Sequence, residues 1–123
     1  MTLKIDLVPQ ELDLVLYAGD GVRFRLVVTD NSDPPEPVPL TGEMKAQIRT
    51  KHADTLPKIS FDVDLADADD GIAILSLTGA DVQTLVTSEK KFKGFWDVEW
   101  TPDGSEPKTL CQGKVECDPD VTR

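Results

Sequence analysis

The densest run of chemically capable side chains is Asp62-Val-Asp64-Leu-Ala-Asp67-Ala-Asp69-Asp70-Gly71. Clustered carboxylates ahead of a glycine are the raw material of a calcium loop, because calcium takes six to eight oxygen ligands. An EF-hand loop sets acids at its first, third and fifth positions, glycine at the sixth and an acid at the twelfth. No starting position in this run meets all of these, so the run reads as a strand with a solvated acidic face that ends in an Asp-Gly turn. Calcium-dependent melting would separate that reading from an irregular oxygen site. His52 is the only histidine and sits in the polar stretch Thr50-Lys-His-Ala-Asp54. A metal centre draws on several His or Cys ligands, and a triad needs a base oriented by a third group. Neither is visible around it, and His52 is expected in a surface loop.

Cys111 and Cys117 stand six residues apart. Within one strand that spacing holds them about 20 Å apart, whereas a disulfide needs Cα atoms within about 7 Å. They are expected as two small core residues rather than as a reactive pair. Trp96 and Trp100 offer aromatic faces for a sugar platform, but their spacing places them on one strand face with Val98, which points to the core. Arg23 and Arg25, with Lys45, Arg49 and Lys51, supply enough cations for a basic stripe on an acidic body. A stripe of that kind would suit assembly between subunits, and ordinary charged decoration of a wet sheet face explains it as well. With 23 acids in the chain, a glycosidase-like carboxylate pair carries no information without geometry. The sequence therefore predicts no catalytic, cofactor-binding or metal residues, and an enzyme ranks last among the readings.

The elements that hold these residues announce themselves by alternation. Leu12, Leu14 and Leu16 alternate with Glu11, Asp13 and Val15. Val22, Phe24, Leu26 and Val28 interleave with Arg23 and Arg25. Met44, Ala46 and Ile48 alternate with polar neighbours, and so do Ile59, Phe61, Val63 and Leu65. Period two puts apolar side chains on one face and polar ones on the other, the mark of an antiparallel sheet with one wet side. Ile72 to Leu77 is apolar on both faces, which fits a central strand or a contact. Trp96, Val98 and Trp100 form one face of the segment from Phe95, and Cys111, Gly113, Val115 and Cys117 one face of the segment 110–117. With Leu3 to Leu7 added, about eight strands result, the number and spacing of a sandwich or barrel.

The punctuation agrees. All nine prolines fall between these strands, where they break no ladder. Asp20-Gly21, Asp70-Gly71 and Asp103-Gly104 are turn dipeptides. Asn31-Ser-Asp-Pro-Pro-Glu-Pro-Val-Pro39 reads as an extended, mobile loop. Thr78-Gly-Ala-Asp81 has the spacing of a capping box, followed by Val82, Leu85 and Val86, so one short helical turn is expected near residues 79–86. At 123 residues the chain fits a single β-sandwich domain over 1–123, large enough to bury a core without staples. A net charge of −10 argues against binding nucleic acid, which needs a basic footprint, and against an anionic membrane surface. No apolar run reaches the length of a membrane-spanning helix, and Asp6 interrupts the stretch a signal peptide would need. Synthesis and folding in a cytoplasm is the expectation.

Several segments, in order, resemble small β-sandwich modules of bacteriophage tails and baseplates. Tyr17-Ala-Gly-Asp-Gly-Val-Arg-Phe24 resembles their G-D-x-x-x-F opening. Val38-Pro-Leu-Thr-Gly42 with Ala46-Gln-Ile-Arg49 resembles their D-L-T-G … x-x-I-R stretch, with Pro39 in place of the aspartate. Gly71 to Leu77, then Thr78 to Leu85, resembles their strand leading into a helical turn. Gly94-Phe-Trp-Asp-Val-Glu99 resembles their G-x-Y-x-Y-D-L-E strand, with Trp96 for a tyrosine. Leu110-Cys-Gln-Gly-Lys-Val115 resembles their closing L-x-x-G-x-V. The resemblance implies an immunoglobulin-like antiparallel β-sandwich in a non-enzymatic virion structural protein. The expected place is a minor tail, tail-tip or baseplate position in a siphophage or prophage, with the other virion structural proteins as partners in a symmetric assembly. Two other roles stay open. One is a capsid decoration or minor capsid protein, and the other a carbohydrate-binding module that recognises a host surface glycan. The resemblance transfers no functional residues, since the matching positions all build the fold.

Overall fold

A computed structural model describes residues 2–5, 10–30, 32–50, 58–86 and 90–119. His52 and Lys51 lie outside the described residues. Strands form where one side chain in two meets the interior. They are β1 (Thr2–Ile5), β2 (Gln10–Glu11), β3 (Leu14–Tyr17), β4 (Val22–Val28), β5 (Glu43–Arg49), β6 (Ile59–Ser60), β7 (Asp62–Asp64), β8 (Ile72–Leu77), β9 (Phe92–Thr101) and β10 (Lys108–Asp118). A 3-10 turn spans Ala68–Asp70, and one helix, α1, spans Gly79–Gln83.

Two sheets result. Sheet I has the order β1-β4-β8-β7, and sheet II the order β2-β10-β9-β5-β6 with β3 also paired to β10. This is the strand order of an immunoglobulin-like sandwich, with the N-terminal segment divided between the two sheets. The central ladders β4–β8–β7 and β10–β9–β5–β6 are antiparallel as expected. The N-terminal pairings are not: β1 lies parallel to β4, and β2 and β3 lie parallel to β10. No tight turn joins β10 to β2 and β3, which come from opposite ends of the chain, so nothing forces the antiparallel sense there.

The single strand expected over Lys58 to Leu65 is two strands. β6 pairs with β5 in sheet II, and β7 pairs with β8 in sheet I. Phe61 is the crossing point: its amide donates to the Ala46 carbonyl at 2.8 Å while its ring is buried. Alternation continues across the switch because both sheets share one interior. The crossing ring completes an aromatic triangle at the centre. Phe24 from sheet I, Trp96 from sheet II and Phe61 have centroids 6.0–6.2 Å apart with tilted planes, within the range in which aromatic pairs attract.

Turns also differ in detail from the dipeptide reading. At the β3–β4 turn the left-handed residue is Gly19 (φ 87°) rather than Gly21, and the Asp20 amide donates back to Tyr17. The proline-rich segment, predicted as extended, folds back on itself. The Asp30 carboxylate accepts from the amides of Ser32 and Glu36 at 2.9 Å each, and Thr29 bridges Pro37. These hydrogen bonds hold the Asp30 carboxyl below its usual range, that from Glu36 most of all.

The helical turn forms as the spacing predicts. Thr78 accepts from the Asp81 amide at 3.1 Å and Asp81 accepts from the Thr78 amide at 3.3 Å, a reciprocal capping box. Val82 and Leu85 face inward and are buried.

Candidate functional site

The acidic run is spread along the surface rather than gathered. Asp62 and Asp64 share the exposed face of β7, while Asp69 and Asp70 belong to the 3-10 turn. Asp64 accepts from the Ala66 amide at 2.9 Å. Gly71 follows with φ 73°, and a Cβ there would lie 2.6 Å from the Val28 carbonyl oxygen. Its role is to let two chain segments touch. Among the described residues no three His, Cys, Asp or Glu side chains converge as a metal-holding group.

The cysteines are core residues, at 1% and 0% exposure, and unbonded to each other. Burial pushes the Cys111 thiol up to about 11, partly offset by a hydrogen bond from the Gln112 backbone. Burial also raises the Cys117 thiol, with the Asp118 charge adding to it. A thiol held protonated in this way is a poor nucleophile. One detail escaped the alternation. A register shift between Thr109 and Cys111 lets both Leu110 and Cys111 point inward, as a β-bulge does.

Both tryptophans are buried, at 1% and 4% exposure, so neither offers a sugar platform. Each instead fastens sheet II to a neighbouring segment through its indole N–H. Trp100 donates to the Thr41 carbonyl at 2.7 Å, in the Leu-Thr-Gly stretch. Beside it the Thr41 hydroxyl accepts from the Asp103 amide at 3.2 Å. Gly42, at φ 77°, lies so close to the β9–β10 turn that a Cβ would come within 2.0 Å of the Thr101 carbonyl oxygen.

Trp96 donates to the Leu12 carbonyl at 2.7 Å. In the parallel ladder that carbonyl would otherwise serve the Lys114 amide. The Asp13 carboxylate takes its place, accepting from Lys114 at 2.9 Å. This swap is what separates β2 from β3. Gly113 makes room for it, since a Cβ there would lie 1.9 Å from the Leu12 carbonyl oxygen.

Among the described residues the basic stripe does not form, because Arg23 and Arg25 lie on the opposite face of the sandwich from Lys45 and Arg49. Arg23 and Arg25 are exposed on the outer face of sheet I. Lys45 and Arg49 are on sheet II, where Arg49 lies 3.7 Å from Asp97 and Lys45 stands opposite Glu99.

What the surface does offer is two distinct outer faces. On sheet II, Val15 and Tyr17 of β3 are 57% and 51% exposed, the exposed large hydrophobic residues among those described. They stand in register with Glu116 and Asp118 of β10. Lys91 bridges those two acids at 3.6 and 3.1 Å, and the pair raises its ammonium pKa, Asp118 more than Glu116. A hollow of about 230 Å³ lined by Lys93, Gly94, Phe95, Lys114, Val115 and Glu116 lies alongside. On sheet I the outer face carries Arg23, Arg25 and Val27 of β4, Ile72, Ile74 and Ser76 of β8, and Asp62 and Asp64 of β7. The sequence signal for the first face was present: Val15 is the one apolar residue out of phase in its strand, and Tyr17 follows at the same spacing.

No family profile matches the chain, and no curated protein sequence matches it. Among solved structures, the N-terminal domain of phage TP901-1 ORF48 is similar, with a TM-score of 0.48 and 9% identity, over 98% of this chain and 97% of that one.

Proposed function

We propose that this chain is a non-enzymatic structural protein of a phage particle, placed in the tail tip or baseplate and acting through contacts with other virion proteins. The observation that carries this reading is the location of the segments that resemble phage tail modules. Leu40-Thr-Gly42 is tied to Trp100 and to the β9–β10 turn, Gly71 to the β4 end, Thr78–Asp81 caps α1, and Gly113 admits the Leu12 carbonyl. Each is a joint of the sandwich, so the likeness lies in how the scaffold is built. Function on such a scaffold resides in its surfaces.

The β3 side of sheet II suits a contact with a neighbouring subunit. Val15 and Tyr17 add apolar area beside the charged residues Lys91, Lys114, Glu116 and Asp118, an apolar centre with a polar rim. β3 is also an edge strand on β10. Leu12 and Ala18 donate their amides toward β10, so by alternation the amides of Val15 and Tyr17 face away from it, toward a strand that a partner could add. Immunogold labelling of intact particles tests the reading. Gold at the tail end is the expected result, gold over the capsid would move the protein to the head, and particles that lack the protein would overturn the proposal.

A further inference from the structure

The outer face of sheet I is charged in columns. In the order β1-β4-β8-β7, β8 lies between β4 and β7, with Ile72, Ile74 and Ser76 outward and half-buried. On one side β4 presents Arg23 and Arg25, both exposed, opposite Ser76 and Ile74. On the other side β7 presents Asp62 and Asp64, both exposed, opposite the same two residues. The rows therefore read Arg23–Ser76–Asp62 and Arg25–Ile74–Asp64. Adjacent strands lie about 4.8 Å apart, so the two columns stand about 10 Å from each other across the apolar strand. None of the ion pairs within 4.0 Å among the described residues includes these four side chains.

We propose that this face binds a second copy of the chain about a twofold axis that runs along β8. Rotation about that axis carries the arginine column of one copy over the aspartate column of the other. Arg23 then faces Asp62 of the second copy and Arg25 faces Asp64, each contact occurring twice, while Ile74 and Ile72 meet their own counterparts. A twofold axis across the strands would instead stack arginine on arginine, so the charge pattern selects one arrangement. A twofold contact must be self-complementary, and a positive column equidistant with a negative one from an apolar line meets that condition. Sheets packed in this way keep their strands within about 30° of one another. The proposal does not depend on the virion reading.

The footprint of three strands and about six residues is on the order of 300 Å² per copy, well under the ~800 Å² per partner of a stable complex. Association is therefore weak and draws on high local concentration, as in an assembly.

Sedimentation of the whole chain between about 10 µM and about 1 mM tests it, this range covering the weak end of the affinity scale. A reversible monomer–dimer equilibrium is expected. Arg23→Asp and Asp62→Arg each place like charges opposite one another twice, and each alone should weaken self-association by about tenfold or more. Mixed in equal amounts, the two variants become complementary and should associate at least as well as the wild type. Circular dichroism confirms that both fold, since the substituted side chains are exposed. A wild-type chain that stays monomeric throughout, a dimer indifferent to both substitutions, or a mixture that associates no better than the separate variants would overturn the proposal.

Discussion

The carbonyl of Leu12 accepts the Trp96 indole N–H, and that choice leaves the Lys114 amide to the Asp13 carboxylate. Trp96→Phe keeps most of the ring's bulk but leaves the Leu12 carbonyl without its donor. A buried acceptor stripped of its partner costs about 1–3 kcal/mol, and chemical denaturation should show a loss of that size. Asp13→Ala should cost about 1 kcal/mol, with Asp13→Asn recovering most of it, because an amide oxygen can take the same hydrogen bond.

The thiols make a second prediction at this scale. A soluble thiol reagent should leave the native chain unlabelled at neutral pH and label both cysteines once denaturant unfolds it. The folded chain holds Cys111 protonated up to about pH 11, whereas the unfolded thiol ionises near 9.0. The unfolded state therefore binds fewer protons between those values, and stability should fall as pH rises through that window. Rapid labelling of the native chain would contradict the buried placement of both side chains.

At the scale of elements, glycines at the joints have unequal roles, and the inequality is measurable. Gly113→Ala drives a Cβ into the Leu12 carbonyl, with backbone on both sides of the clash. It should destabilise the fold by about 3 kcal/mol or more, in the range of severe steric changes. Gly104 also has a positive φ, but a Cβ there meets nothing within 4 Å. Gly104→Ala should cost only about 1 kcal/mol, the strain of a left-handed backbone alone. Equal losses at the two positions would refute the joint described at Gly113.

The same contrast explains what the sequence could disclose. Most strands were legible because one face is wet and the other dry, so the residues themselves carry the period. The capping box was legible because its two hydrogen bonds join residues three apart. The switch of sheets at Phe61 was hidden, since an inward side chain looks the same in either sheet. The β2–β3 break was hidden for another reason. It depends on a tryptophan and a glycine far away in sequence, and no local pattern at Leu12 reports them. The inward pairing of Leu110 with Cys111 breaks the period at a bulge, and nothing in the residue types marks where a bulge falls.

Across the molecule, the described residues able to do chemistry are dispersed or buried. The acids of the run Asp62 to Asp70 are spread along β7 and the 3-10 turn, the thiols are held protonated in the core, and the indoles serve as struts. The two sheet faces remain, one with exposed Val15 and Tyr17 and the other with its arginine and aspartate columns. The first face left a trace in the sequence, in the out-of-phase Val15 and in Tyr17, whereas the second was not legible there. Arg23 and Arg25 were read with Lys45 and Arg49, and only the fold shows that the sandwich separates the two pairs and sets the arginines opposite Asp62 and Asp64 instead. The apolar outer positions of Ile72 and Ile74 were visible from the start, without the columns that give them a meaning.

The proposed role, a structural part of a phage tail, stands or falls on where the protein sits in the particle. Quantitative mass spectrometry of purified particles, split into head and tail fractions, tests it most directly. The protein is expected in the tail fraction, at a small and fixed copy number of roughly a few to tens. Its absence from the particles, or hundreds of copies in the head fraction, would contradict it.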